Sequence, residues 1–90
     1  MILTFQLIVP AKLVLREEVE SVTLPGVEGV LTVLPHHTHI VALLKTGSLH
    51  YSKKDAEGNI LLQEYRIAGG VAEMSRQGVL TVFTDTAELV

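Results

Sequence analysis

Turn-forming residues cut the chain at roughly ten-residue intervals, and the pieces between them alternate apolar and polar side chains with a period of two. A segment with that period has one face to bury and cannot present the apolar stripe of a helix. Leu3, Phe5, Leu7 and Val9 point one way along the first piece, against Thr4 and Gln6 on the other. Pro10 has no amide to donate and marks the exit, after which residues 13–15 give a short second strand ahead of a charged turn at Arg16, Glu17 and Glu18. Residues 19–24 alternate again and end at Pro25-Gly26, which suits the centre of a type II turn. Residues 30–34 are apolar on both phases apart from Thr32, which predicts a central strand, and Pro35 ends it. The His36–His39 stretch reads as a corner joining two sheets. A strand at 40–44 follows, then one at 48–53, a polar turn at 55–59, and a returning strand at 60–68 with Glu64 and Arg66 on a wet face. Gly69-Gly70 allows a bend before 71–74, and 79–84 closes the series. The expected fold is all-β, an antiparallel β-sandwich of about ten short strands, with residues 1–90 forming one domain.

Composition fixes what such a sandwich is made from. A chain of 90 residues buries only about 60–65% of its unfolded surface, so one modest core is the most it can form. Two Phe, two Tyr and no Trp leave that core to Leu, Val and Ile. The chain contains no Cys, which removes disulfide, zinc-thiolate and thiol-nucleophile chemistry and fits a reducing compartment. A net charge of −3, with Lys53-Lys54 the only adjacent basic pair, argues against nucleic acid. The apolar run at 40–44 is far short of the roughly 20 residues a membrane helix needs, and Met1-Ile2-Leu3 lacks the basic start of a signal peptide. A soluble, cytoplasmic chain is expected.

All four histidines fall between His36 and His50. Neutral imidazoles suit zinc, copper or nickel, so a stand-alone ligand- or metal-binding module using His36, His37 and His39 is the alternative reading. Against it, His37 and His39 share a face with His36 opposite, the corner holds no carboxylate, and a closed site needs about four ligands. Glu28 has neither a nucleophile elbow nor a second acid beside it, and Gly69-Gly70 is not embedded in a phosphate-binding motif. The residues therefore predict no catalytic group, no bound metal and no cofactor.

Five segments in order, VESVTLPG at 19–26, EGVLTVLPHH at 28–37, LLKTGSL at 43–49, IAGGVAEM at 67–74 and GVLTVFTDTAE at 78–88, resemble the N-terminal β-sandwich of the epsilon subunit of F-type ATP synthases. The resemblance implies a non-catalytic rotor subunit of the central stalk, linking the gamma subunit to the membrane c-ring and coupling ion transport to ATP synthesis. It also implies a peripheral location on the cytoplasmic face of a bacterial-type membrane, or the equivalent organelle compartment, with membrane contact only through the complex. Carried over by position, Glu28, Gly29 and Val30 are the expected c-ring contacts, and Pro10, His37, Ile40 and Leu43 the expected gamma contacts. Val30 stands where many members carry an acid, Thr32 where glycine is common, and His39 where proline is usual. Longer members continue into an α-helical hairpin implicated in braking ATP hydrolysis. No counterpart to it is expected among these 90 residues, so the expectation for them is coupling without that brake.

Overall fold

A computed structural model describes residues 2–36 and 39–90. Eight strands account for most of them: β1 (Leu3–Val9), β2 (Lys12–Val19), β3 (Ser21–Gly26), β4 (Gly29–Val33), β5 (Ile40–Lys54), β6 (Ile60–Met74), β7 (Val79–Phe83) and β8 (Ala87–Leu89). Their hydrogen-bonded order is β2-β1-β7-β6-β5-β3-β4, with β8 pairing β6 off that path. All pairings are antiparallel except β1 with β7, which run parallel.

The count of eight rather than about ten has one physical cause. Four of the expected short strands are two continuous ones, because β5 and β6 each run 15 residues and pass from one layer of the sandwich into the other. Residues 40–44 pair with 70–74, where β7 also attaches, and residues 46–54 pair with 60–68, where β3 and β8 attach. The register skips Lys45 and Gly69, so the expected glycine bend is present but does not interrupt pairing. Gly70 sits there at φ 138°, and a Cβ on it would lie 2.0 Å from the Phe83 carbonyl oxygen, so only glycine lets β7 approach. These bent strands carry continuous pairing from one layer into the other; of the histidine corner expected between the layers, residues 37 and 38 lie outside the described residues.

Three further expectations are corrected. Arg16, Glu17 and Glu18 lie within β2, because cross-strand pairing with β1 as far as Leu3–Val19 outweighs their turn-like composition. Pro25 and Gly26 lie within β3 opposite Val30 and Gly29, which moves the turn to Val27 and Glu28. Residues 30–34 are not central: β4 ends the strand order, and Val30 and Leu34 are exposed. Two-faced hydrophobicity marked a partially uncovered edge here instead of an enclosed strand.

The alternation itself is realised closely. Leu3, Phe5 and Leu7 of β1, Leu80 and Val82 of β7, and Ala72 and Met74 of β6 are fully enclosed against Val22, Leu24, Val33, Leu49 and Ile67 of the second layer. Phe5 meets Tyr51 across the layers at a ring-centroid distance of 5.3 Å and a tilt of 54°. Such pairs add about 0.5–1.5 kcal/mol beyond the area they bury.

Candidate interaction surfaces

The β3–β4 hairpin narrows to a tip because two glycines face each other across it. A Cβ on Gly26 would lie 2.5 Å from the Gly29 carbonyl oxygen, and Gly29 itself has φ 132°. The chain reverses through Val27 and Glu28, and the tip is tied to β5 by the Val27 amide donating to the Leu43 carbonyl at 2.9 Å. Between hairpin and strand lies an open groove of about 500 Å³, walled by Val27, Glu28, Val30 and Leu31 on one side and Val41 and Leu43 on the other. Val30 is 78% exposed, and Glu28 is the only ionisable residue lining the groove among the described residues.

Register builds a second surface on the outside of the first layer. Leu13 pairs with Ile8, Ile8 with Phe83, Phe83 with Val71 and Val71 with Leu43, so five apolar side chains form a row across five strands. They face outward because their neighbours Leu7, Val82, Ala72 and Leu44 face the core. The adjacent row is mostly polar, running through Gln6, Thr81 and Glu73, with Gln6 Nε2 donating to Thr81 Oγ1 at 3.0 Å and Arg16 Nη1 donating to Gln6 Oε1. An apolar row bounded by a hydrogen-bonded polar one has the composition of an interface centre and its rim.

A third arrangement is internal. Glu17 of β2 is opposite Phe5 in register and reaches across to the other layer, where its carboxylate accepts the Tyr51 hydroxyl at 2.7 Å and the Lys53 ammonium. The Lys53 hydrogen bond, then that of Tyr51, hold the Glu17 carboxyl below its ordinary value. Burial, and then the bond to the Glu17 anion, push the Tyr51 phenol well above its ordinary value. This strap closes the open side of the sandwich beside β2.

The residues singled out in the sequence are distributed unevenly over these surfaces. Glu28, Gly29 and Val30 lie together at the hairpin tip, and Leu43 shares their groove while also ending the apolar row. Pro10 is exposed in the turn between β1 and β2, next to the row's Leu13 end. Ile40 is half-buried opposite Met74 on the core-facing side of β5, so its side chain does not join Leu43 on the outside. His37 lies outside the described residues. Among the described residues no three metal-ligating side chains gather, and neither His36 nor His39 belongs to such a group. Sequence reasoning missed Ile8, Leu13, Val71 and Phe83. The available signal was Phe83, a large aromatic on the opposite phase from Leu80 and Val82.

Comparison with known proteins agrees with this architecture. Residues 2–90 match the β-sandwich domain family of the ATP synthase delta/epsilon chain. The chain is similar to the ATP synthase epsilon chain of Herpetosiphon aurantiacus, at 37% identity over 92% of this chain and 57% of that protein. It is also similar to the ATP synthase epsilon chain of Rhodopseudomonas palustris strain BisB18, at 41% identity over 96% of this chain and 59% of that one. In three dimensions it resembles a chain in the Euglena gracilis mitochondrial ATP synthase structure containing OSCP, F1 and c-ring, with a TM-score of 0.85 and 27% identity, covering 98% of this chain and 53% of that one. The chain thus spans little more than half the length of these relatives. Among the described residues no helix is long and apolar enough to cross a membrane.

Proposed function

The chain belongs to the β-sandwich domain family of the ATP synthase delta/epsilon chain, and from that membership we propose that it serves as a non-catalytic domain of a rotary ATP synthase's central stalk. In this role it joins the gamma subunit to the c-ring loops and couples ion transport to ATP synthesis. It acts as one unit over residues 1–90, on the cytoplasmic face of the membrane or its organelle equivalent, and meets the membrane only through the complex.

The observation that carries the proposal is the outward apolar row Leu13–Ile8–Phe83–Val71–Leu43, a ready-made interface centre on a body otherwise stiffened by paired strands. Gamma is assigned to this row, with Pro10 at its margin and His37 among the contacts, while Ile40, on the core-facing side of β5, supports the row from behind. Ring loops are assigned to Glu28, Gly29 and Val30 at the hairpin tip. Exposed Val30 and a single carboxylate make that contact chiefly apolar, which fits ring loops carrying little opposite charge.

Copurification of tagged chain with gamma and c-ring tests the reading. Phe83→Asp should abolish recovery of gamma while leaving the melting curve of the isolated domain essentially intact, since Phe83 already faces out. Undiminished recovery of gamma would remove this face from the interface, and failure of the unaltered chain to recover either partner would overturn the stalk role.

A further inference from the structure

The outward apolar row has no direction of its own. Read from either end across β2, β1, β7, β6 and β5 it is Leu, a β-branched residue, Phe, a β-branched residue and Leu, with Phe83 on the central strand. Its two ends, Leu13 and Leu43, are both exposed. A ridge that fits this row one way round therefore fits it nearly as well turned by half a circle, and apolar contact, being non-directional, does little to choose between the two.

The polar row beside it does have a direction. It starts at Arg16 on β2, passes through Gln6 on β1 and Thr81 on β7, and reaches Glu73 on β6. Arg16 Nη1 donates to Gln6 Oε1 and Gln6 Nε2 donates to Thr81 Oγ1, so the guanidinium is drawn along the row and the amide between them cannot turn end for end without losing both bonds. Arg16 and Glu73 stand three strands apart, about 14 Å at the usual strand spacing. Neither has an ion-pair partner among the described residues, whose ion pairs join Lys53 to Glu17 and Lys54 to Glu20. Glu18 shares the outward side of β2 with Arg16 but lies one row farther from the apolar row, opposite Thr4. β8 and the Val90 amide meet β6 at residues 64–67, in the other layer of the sandwich.

We propose that Arg16 and Glu73 set the direction in which the partner is seated, with a carboxylate of the partner on the Arg16 guanidinium and a Lys or Arg of the partner on Glu73. Arg16 spends one of its N–H groups on Gln6 and keeps others in the planar arrangement that matches a carboxylate. Turned by half a circle about Phe83, the same partner would carry both its charges to the opposite margin of the apolar row and cover Arg16 and Glu73 without counter-charges. The partner is therefore a surface whose apolar ridge is accompanied along one side by an acidic and a basic side chain about 14 Å apart. The proposal rests on the stalk reading, in which that surface belongs to gamma.

Two double variants that keep the net charge of the chain test it by titration against gamma. Arg16→Gln with Glu73→Gln removes both charges, and Arg16→Glu with Glu73→Arg exchanges them. Both residues are exposed, so both variants should melt as the unaltered chain does. Neutralisation should raise the Kd for gamma by about 10-fold or less and exchange by about 100-fold or more, a difference that shrinks in about 1 M salt. Single reversals add a readout that a structural role would not move. Changing one acidic residue of gamma to Lys should restore binding to Arg16→Glu but not to Glu73→Arg, and changing one basic residue of gamma to Glu should do the converse. If the exchanged variant is unfolded, the single reversals are measured alone. Equal Kd values for exchange and neutralisation, or the lack of any gamma reversal that rescues Arg16→Glu alone, overturn the proposal while the stalk role stands. Binding that falls in step with melting temperature also overturns it, in favour of a structural role for the two residues. Failure of the unaltered chain to bind gamma overturns both readings.

Discussion

Glu17→Ala removes the acceptor that ties β2 to β5 across the open side of the sandwich, and its cost follows from two unequal bonds. The Tyr51 hydroxyl, on a residue only 3% exposed, donates to the carboxylate at 2.7 Å, and a bond to a charged group contributes about 1.5–3 kcal/mol. The Lys53 bond contributes less, because the two side chains are 33% and 30% exposed and water replaces much of what is lost, leaving about 0–1 kcal/mol. Together the loss is about 1.5–4 kcal/mol. For a domain of this size each kcal/mol moves the melting temperature by about 4–8 °C, so a fall of at least about 6 °C is expected by circular dichroism. Glu17→Gln keeps an acceptor for the phenol and should lose about 1 kcal/mol. A double-mutant cycle with Tyr51→Phe should return a coupling of about 1 kcal/mol or more.

The same strap fixes the sign of a pH effect. A carboxyl whose folded value is depressed contributes stability that is present above its unfolded value, here 4.5, and is lost as pH falls through the lower folded value. The gap between wild type and Glu17→Gln should therefore be constant near neutrality and close in acid. A gap that fails to narrow as pH falls below the ordinary glutamate value, or a Glu17→Ala melt matching wild type at neutral pH, would refute the reasoning.

Other substitutions probe the remaining elements. Gly70→Ala forces a Cβ to within 2.0 Å of the Phe83 carbonyl at a φ of 138°, and urea unfolding should show a loss of about 2–3 kcal/mol or more; no loss would mean that β6 and β7 separate freely. Ile40→Asp places a carboxylate on the core-facing side of β5, and its half-burial suggests a cost of about 2 kcal/mol, whereas Leu43→Asp should change stability by less than about 0.5 kcal/mol and act on gamma recovery instead. Val30→Cys should crosslink to a ring loop in the assembled complex and Asp55→Cys should not; the opposite pattern would reverse the assigned orientation of the sandwich.

Much of the fold was legible because alternation is a local property that the tertiary structure had no reason to override. Leu3, Phe5 and Leu7 follow one buried phase, and the β5–β6 hairpin turns at Asp55, whose carboxylate accepts the amides of Glu57 and Asn59 as its composition suggests. What was not legible depends on partners distant in sequence. Pro25 and Gly26 look like a turn until Val30 and Gly29 are placed opposite them. Glu17 looks like a solvated turn residue until Tyr51 and Lys53 arrive from the other layer. The apolar row was hidden for the same reason, since each of its five members sits on a different strand and only register aligns them.

Leu43 is where the proposed contacts cease to be separate. It ends the outward row assigned to gamma and also walls the groove beneath the hairpin tip assigned to the ring, while its carbonyl accepts the Val27 amide. Gamma seated on the row therefore touches the strand to which the tip is tied. In the proposed role a tangential load applied at Val30 reaches the row through backbone hydrogen bonds and the β5–β6 pairing, with little dependence on rotatable side chains. Backbone ladders inside a closely packed core yield little, which suits a body that must turn with both partners. The two interfaces should accordingly be coupled: occupying the row restricts the groove wall at Leu43, and a ring loop entering the groove meets a surface already positioned by gamma.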